Sequence, residues 1–205
     1  MNKCKAAMVA LTVATFIAVP RGFTAEENRL TFRVKVSALG LKATSSFAAG
    51  KAPTDVIEVN LSGRLYDPPR PVAIVTKGGA DRSTPESVAN SDFSANLAGD
   101  LDWMAENFVD AEQGEVKAFF SDPTMLQKNR QMFEGAKIWL TGHARYKDYA
   151  LLFQRMDHEG RQGAARPVVY SQTQNGWRRT NALSRDETYD VVFSALNSGE
   201  VLQGK

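Results

Sequence analysis

The chain has almost no sulfur or imidazole chemistry to draw on. Its single cysteine, Cys4, lies at the extreme N-terminus. The rest of the chain can therefore form no disulfide, no thiolate metal site and no thiol nucleophile. Histidine is almost as scarce, with only His143 and His158, and no H-E-x-x-H pair exists. No metal and no organic cofactor is expected. No serine sits in a G-x-S-x-G elbow or an S-x-x-K pair, and Gly78-Gly79 lacks the lysine and serine that complete a phosphate loop. Charge of one sign is lacking too: 25 basic residues face 23 acidic ones. Nothing there suggests the basic face that a nucleic-acid binder needs.

What is present is the composition of a folded domain, 43% hydrophobic and 23% charged over 205 residues. That is too apolar for a disordered chain and long enough for one core. The longest apolar run, residues 6–19, follows Lys3 and Lys5 and ends at Pro20-Arg21. Basic start, short apolar stretch and the small residue Ala25 have the form of a secretory signal peptide, with cleavage expected after Ala25. The run is shorter than the roughly 20 residues that span a bilayer. Export is thus expected, to the periplasm rather than full secretion, with no stable membrane anchor after cleavage. Removing Lys3, Lys5 and Arg21 takes the net charge from +2 to −1. The expected organisation is a signal peptide over residues 1–25 and one domain over 26–205.

Period-two alternation marks the first strand. Leu30, Phe32, Val34 and Val36 point one way, and Arg29, Thr31, Arg33 and Lys35 the other. Residues 38–54 read as a loop or weak hairpin, 56–61 as a second strand and 72–76 as a third. Asp67-Pro68-Pro69-Arg70-Pro71 is excluded from a central strand by its prolines. Thr84-Pro85-Glu86 opens a helix that runs to about Leu97 and ends at Gly99. Residues 100–108 form a short helix, burying Leu101, Trp103, Met104 and Phe108. Helices at Asp110–Phe120 and from Asp122-Pro123 to Gly135 follow, the first opened by a capping box from Asp110 to Gln113. Strands are expected at 137–146, 149–157, 166–173 and 177–183. Asn175-Gly176 has the chemistry of a type I′ hairpin turn. A capping box from Ser184 to Glu187 opens a closing helix ending at Gly199.

Segregated helices followed by a strand meander give an α+β fold. It has a β-rich N-terminal part (29–76), helices packed on one face of a curved antiparallel sheet (83–199), and a closing C-terminal helix. The helix opening at Thr84-Pro85-Glu86, the Gly99-Asp100-Leu101 step, the Tyr149–Phe153 strand and the Gly176-Trp177-Arg178-Arg179-Thr180-Asn181 hairpin carry a resemblance. Over about residues 83–199 the chain resembles exported members of the nuclear-transport-factor-two-like superfamily, the cystatin-like α+β cones. The segments 29–76 and 185–197 depart from that pattern. The resemblance implies a cone-shaped hollow between helices and sheet. Because the superfamily includes ligand binders, enzymes and interaction modules, it does not choose among them.

Few residues stand out as chemical. His143 is the candidate general base, helped by Tyr146 or an acid from the 100–112 helices. Tyr146, Tyr149 and Arg178 are the candidate ligand-binding residues at a pocket mouth. The paired acids Asp100 and Asp102 face different ways on a helix, and capping and solvation account for them. Trp103 and Trp177 read as core. The expected function is that of an exported accessory or binding protein without catalysis, acting through an envelope protein or a small ligand held in the cone. The strand at 29–36 would be an exposed edge able to pair with a partner. The alternative is a small-molecule enzyme of the cone fold using His143.

Overall fold

The alternating N-terminal segment becomes β1 (Asn28–Lys35), with Leu30, Phe32 and Val34 at 0%, 0% and 2% exposure. In this computed structural model residues 28–42 and 46–204 are described, so the expected signal segment and Cys4 lie outside the described residues. A 3-10 helix (Val36–Lys42) follows β1 where a loop is expected. Then come β2 (Val56–Pro71), α1 (Pro85–Ala98), α2 (Leu101–Glu106), α3 (Asp110–Phe119) and α4 (Pro123–Phe133). The meander is β3 (Lys137–Tyr146), β4 (Tyr149–Asp157), β5 (Ala165–Thr173) and β6 (Gly176–Arg179). The chain closes with α5 (Glu187–Ser198) and β7 (Glu200–Gln203). The fold is α+β, with one seven-stranded antiparallel sheet in the order β6-β5-β4-β3-β2-β1-β7.

Both faces of the sheet are covered, not one. On β4, Leu151 and Phe153 join the core of α5 residues Val191, Val192 and Ala195, while Ala150 and Leu152 join α1 residues Val88, Ala89 and Phe93. Successive strand residues point to opposite faces, so α1 and α5 sit on opposite sides. The unbroken apolar run Ala150–Phe153 is the sign of a strand buried on both faces, but it does not say which helix takes which.

β1 is an interior strand rather than an edge, because β7 pairs along it from Leu30↔Gln203 to Arg33↔Glu200. Four residues with little alternation give β7 no readable strand signal. β2 runs further than its prolines suggest. Its ladder with β3 lapses between Leu65 and Arg70, and Pro68 and Pro69 fall in that lapse, where no ladder donor is needed. Residues 72–76 are not a strand. Ala73 N–H donates to Asn90 Oδ1 and Val75 N–H to Ser94 Oγ, each at 2.9 Å. Side chains one turn apart on α1 thus take the bonds a strand partner would have supplied.

The turns show where local chemistry was outweighed. Thr173 pairs with Gly176, so Gln174 and Asn175 are the central residues of the hairpin; neither has positive φ, and the turn is not type I′, which requires it at both, while Gly176 in β6 has φ 93°. A Cβ on Gly176 would also meet the Arg82 carbonyl oxygen at 2.4 Å, and Trp177 N–H donates to that same oxygen. The last hairpin strand stops at Arg179 because the chain then turns to satisfy Val169 O with Thr180 N–H. Asp110 is the first residue of α3 rather than its cap, and Val109 occupies the cap position. At α5 the cap is Asp186, two residues after Ser184, and Glu187 instead accepts from the backbone N–H and hydroxyl of Ser46.

Candidate functional site

Two clefts and one buried hydrogen-bond chain meet around the end of β2. The first cleft, about 630 Å³, lies between α1, the end of α4 and the start of β3. Phe93 and Leu97 come from α1, Phe133 from α4, and Ile138 and Trp139 from β3; Val72 and Ile74 come from the segment after β2. Phe93 and Phe133 rings stand 6.1 Å apart at 49°, and Ile74 is 72% exposed at the rim. The cleft forms where the chain leaves the sheet: Val72 N–H still donates to Ile138 O of β3, but Ala73 and Val75 are bonded to α1 instead. Its size and apolar lining are those of a small-molecule site.

The second cleft, about 360 Å³, is made by the β2 irregularity itself: Arg64, Tyr66, Asp67, Pro68, Pro69, Arg70 and Pro71. Pro71 belongs to the walls of both clefts. The Arg70 guanidinium carbon lies 4.2 Å above the Tyr66 ring centroid, a cation–π distance.

Behind that ring runs the chain of hydrogen bonds. Tyr66 O–H donates to Glu86 Oε1 at 2.9 Å, and the Tyr66 oxygen lies 2.9 Å from His143 Nδ1. Because the one phenolic proton goes to the carboxylate, the Nδ1–H of His143 donates into the phenol oxygen. Burial first, then the Glu86 carboxylate, push the Tyr66 phenol well above its ordinary range, against the pull of Arg70 and Arg64. Tyr66 is thus a fixed donor and not a base.

His143 is 5% exposed. Its partner in this chain is Tyr66, neither Tyr146 nor an acid of the 100–112 helices. Those acids are engaged elsewhere. Asp100 caps α2 and pairs with Lys77, Asp102 pairs with Lys117, and Glu112 accepts from Thr180 and Asn181. Sequence spacing offered no route to Tyr66 and Glu86, which lie 77 and 57 positions from His143. Glu86 carried the ordinary signal of an acid in a first helical turn.

Tyr146, Tyr149 and Arg178 form a separate group on the opposite face. Tyr146 pairs with Tyr149, Tyr149 with Ser171 and Ser171 with Arg178, a single cross-strand row. Both tyrosines pack against the α5 core, whereas His143 points to the α1 side. Arg178 folds back on its own hairpin, donating to the carbonyls of Asn175 and Trp177. Burial and the like charge of Arg82 lower its pKa. None of the three lines either cleft at the β2 end. Trp103 and Trp177, each 4% exposed, are core.

Tyr146 instead bonds to the α5 cap. Asp186 accepts from Tyr146 O–H (3.2 Å), Lys147 Nζ (2.8 Å) and Tyr189 N–H (3.1 Å). Burial alone would raise the Asp186 pKa, but these donors hold it below the ordinary 3.8. A carboxylate depressed in the folded state contributes stability above its unfolded pKa and loses it as pH falls through the folded one. Asp186→Ala is expected to cost about 1–2 kcal/mol at pH 7. The deficit should shrink progressively as pH drops below 3.8. Urea unfolding at pH 7 and pH 3 measures this, and an equal deficit at both would show that the charge does not matter.

Comparison of the chain with protein-family models, with curated proteins and with solved structures returns no match.

Proposed function

We propose that this chain is an exported binding protein whose cleft between α1, α4 and β3 holds a small apolar ligand. The observation that carries the reading is the cleft itself. A space of about 630 Å³ is walled by Val72, Ile74, Phe93, Leu97, Phe133, Ile138 and Trp139. A concave, mostly apolar surface of this size with a few polar groups is what small-molecule sites present. The signal-like segment at 1–25 supports export. The resemblance to the nuclear-transport-factor-two-like cones is in keeping with a ligand held between helices and sheet.

The test is a titration with the neutral, apolar fluorophore N-phenyl-1-naphthylamine. Saturable binding at one site is expected. Ile74→Glu, at the exposed rim, should weaken it about tenfold by placing a charge against the probe, equivalent to about 1.4 kcal/mol. Its Tm should stay within about 2 °C of wild type, because a surface substitution changes stability little. Non-saturable binding, or binding that Ile74→Glu leaves unchanged, would remove the cleft as the site.

A second reading, an enzyme with His143 as general base, draws on the Glu86–Tyr66–His143 chain. It is the weaker one, because a general base must reach its substrate and His143 is 5% exposed behind Tyr66.

A further inference from the structure

We propose that the ligand is amphipathic: an alkyl or acyl chain in the apolar cleft, ending in an oxyanion, carboxylate or phosphate, held by Arg64 and Arg70 in the adjoining cleft. The inference rests on the binding reading above and deepens it.

The two clefts lie on either side of Pro71, which lines both. One offers mostly hydrocarbon and the other two guanidinium groups. Among the described residues no carboxylate lies within ion-pair distance of Arg64 or Arg70, although nine ion pairs are formed by other basic side chains. Arg70 lies over the Tyr66 ring, which limits its freedom before a ligand arrives. Arg64 is fixed at its backbone by pairing opposite His143. Guanidinium groups that no carboxylate engages match the planar, bidentate geometry of carboxylate and phosphate.

One acid lines this space and a second lies behind it. Glu86 directs a carboxylate oxygen at the Tyr66 hydroxyl, so its charge is engaged behind the ring. Asp67 lines the cleft and opposes an anion directly. The arrangement therefore makes a prediction of sign as well as size. Removing either arginine should weaken binding of the head, and removing the Asp67 charge should strengthen it. Lys137, on the wall of the apolar cleft, is the competing cation and needs its own variant.

The experiment displaces N-phenyl-1-naphthylamine from the full-length protein with decyl phosphate, decanol or inorganic phosphate, each below any micellar concentration. Decyl phosphate is expected to bind about tenfold tighter than decanol, and inorganic phosphate to leave the probe in place. Arg64→Gln with Arg70→Gln should erase the preference for the phosphate head while decanol still binds, and Asp67→Asn should raise it severalfold. Equal binding of decanol and decyl phosphate would overturn the proposal and leave the apolar site standing. So would a preference lost in Lys137→Gln but kept in the arginine variants. Displacement by inorganic phosphate as strong as by decyl phosphate would also overturn it, because the chain would then contribute nothing. Failure of the probe itself to bind is the separate failure of the binding reading.

Discussion

Gly63→Ala should be among the most damaging single-methyl additions in this protein, costing about 3 kcal/mol or more. Gly63 lies in β2, paired with Ala144 of β3 on one side and Asn28 of β1 on the other. A Cβ there would stand 2.2 Å from the His143 carbonyl oxygen, 2.8 Å from the Ala144 Cα and 2.9 Å from Leu30 Cδ1. Leu30 can change rotamer, but the other two are backbone atoms of a strand bonded on both sides. Relief requires β3 to move away from β2, and β3 carries β4, β5 and β6 with it. For a domain of this size the Tm should fall by about 6–12 °C. Gly114, within α3 and with nothing near its Cβ position, is the control. Gly114→Ala should stabilise by up to about 1 kcal/mol through helix propensity alone. If Gly63→Ala melts with wild type, the β2–β3 approach is not as close as this geometry requires.

That contrast shows where the sequence was readable. Gly63 stands in a run of alternating residues and carries no local sign that a neighbouring strand comes so near. What was legible was periodicity. Leu30, Phe32 and Val34 were expected to share a buried face and do. The meander strands 137–146 and 149–157 and the helix start at Thr84-Pro85 stand as read. What was not legible was every feature decided by a distant partner. Residues 72–76 have a strand's composition but spend their donors on Asn90 and Ser94 of α1. The 29–36 strand has an edge strand's polar face but is covered by β7, whose four residues arrive from the far end of the chain.

The site followed the same rule. His143 was singled out because it titrates, and it does sit in a polar chain, but both partners came from segments read only as structure. Tyr66 lies between the expected strand 56–61 and a proline run excluded from a central strand, and Glu86 reads as a helix-start acid. Tyr146 and Tyr149 have the chemistry of a pocket mouth, but the strand register places them on the face away from His143. Residue type is visible in a sequence, but which face a strand residue takes depends on where the ladder slips. β3 slips between Leu140 and Gly142, which moves the residues that follow by one face.

The Tyr66 hydroxyl is where this buried chain can be weighed. Tyr66→Phe is expected to cost about 2 kcal/mol, or about 4–8 °C in Tm, with no change in side-chain packing volume of note. The loss exceeds that of an average hydrogen bond because two groups lose a partner at once, the Glu86 carboxylate and the His143 Nδ1–H. A double-mutant cycle isolates the carboxylate's share. Glu86→Gln alone weakens the same contact and the helix-dipole interaction at the start of α1. Combined with Tyr66→Phe it should add less than its own cost, with a coupling of about 1 kcal/mol measured by urea unfolding. Strictly additive losses would mean that hydroxyl and carboxylate do not interact. The same cycle bears on the arginine cleft. The phenolic O–H dipole points at the Glu86 carboxylate and offsets part of its field; without it more of that field reaches Arg64 and Arg70, whose charges act on the same hydroxyl. Tyr66→Phe should therefore also weaken decyl phosphate relative to decanol, and Glu86→Gln in the same background should restore the preference. A stability loss without that reversal would make the buried chain a brace between β2, β3 and α1 and nothing more. The reversal would make Tyr66 the element that shields an anion site from its nearest buried acid.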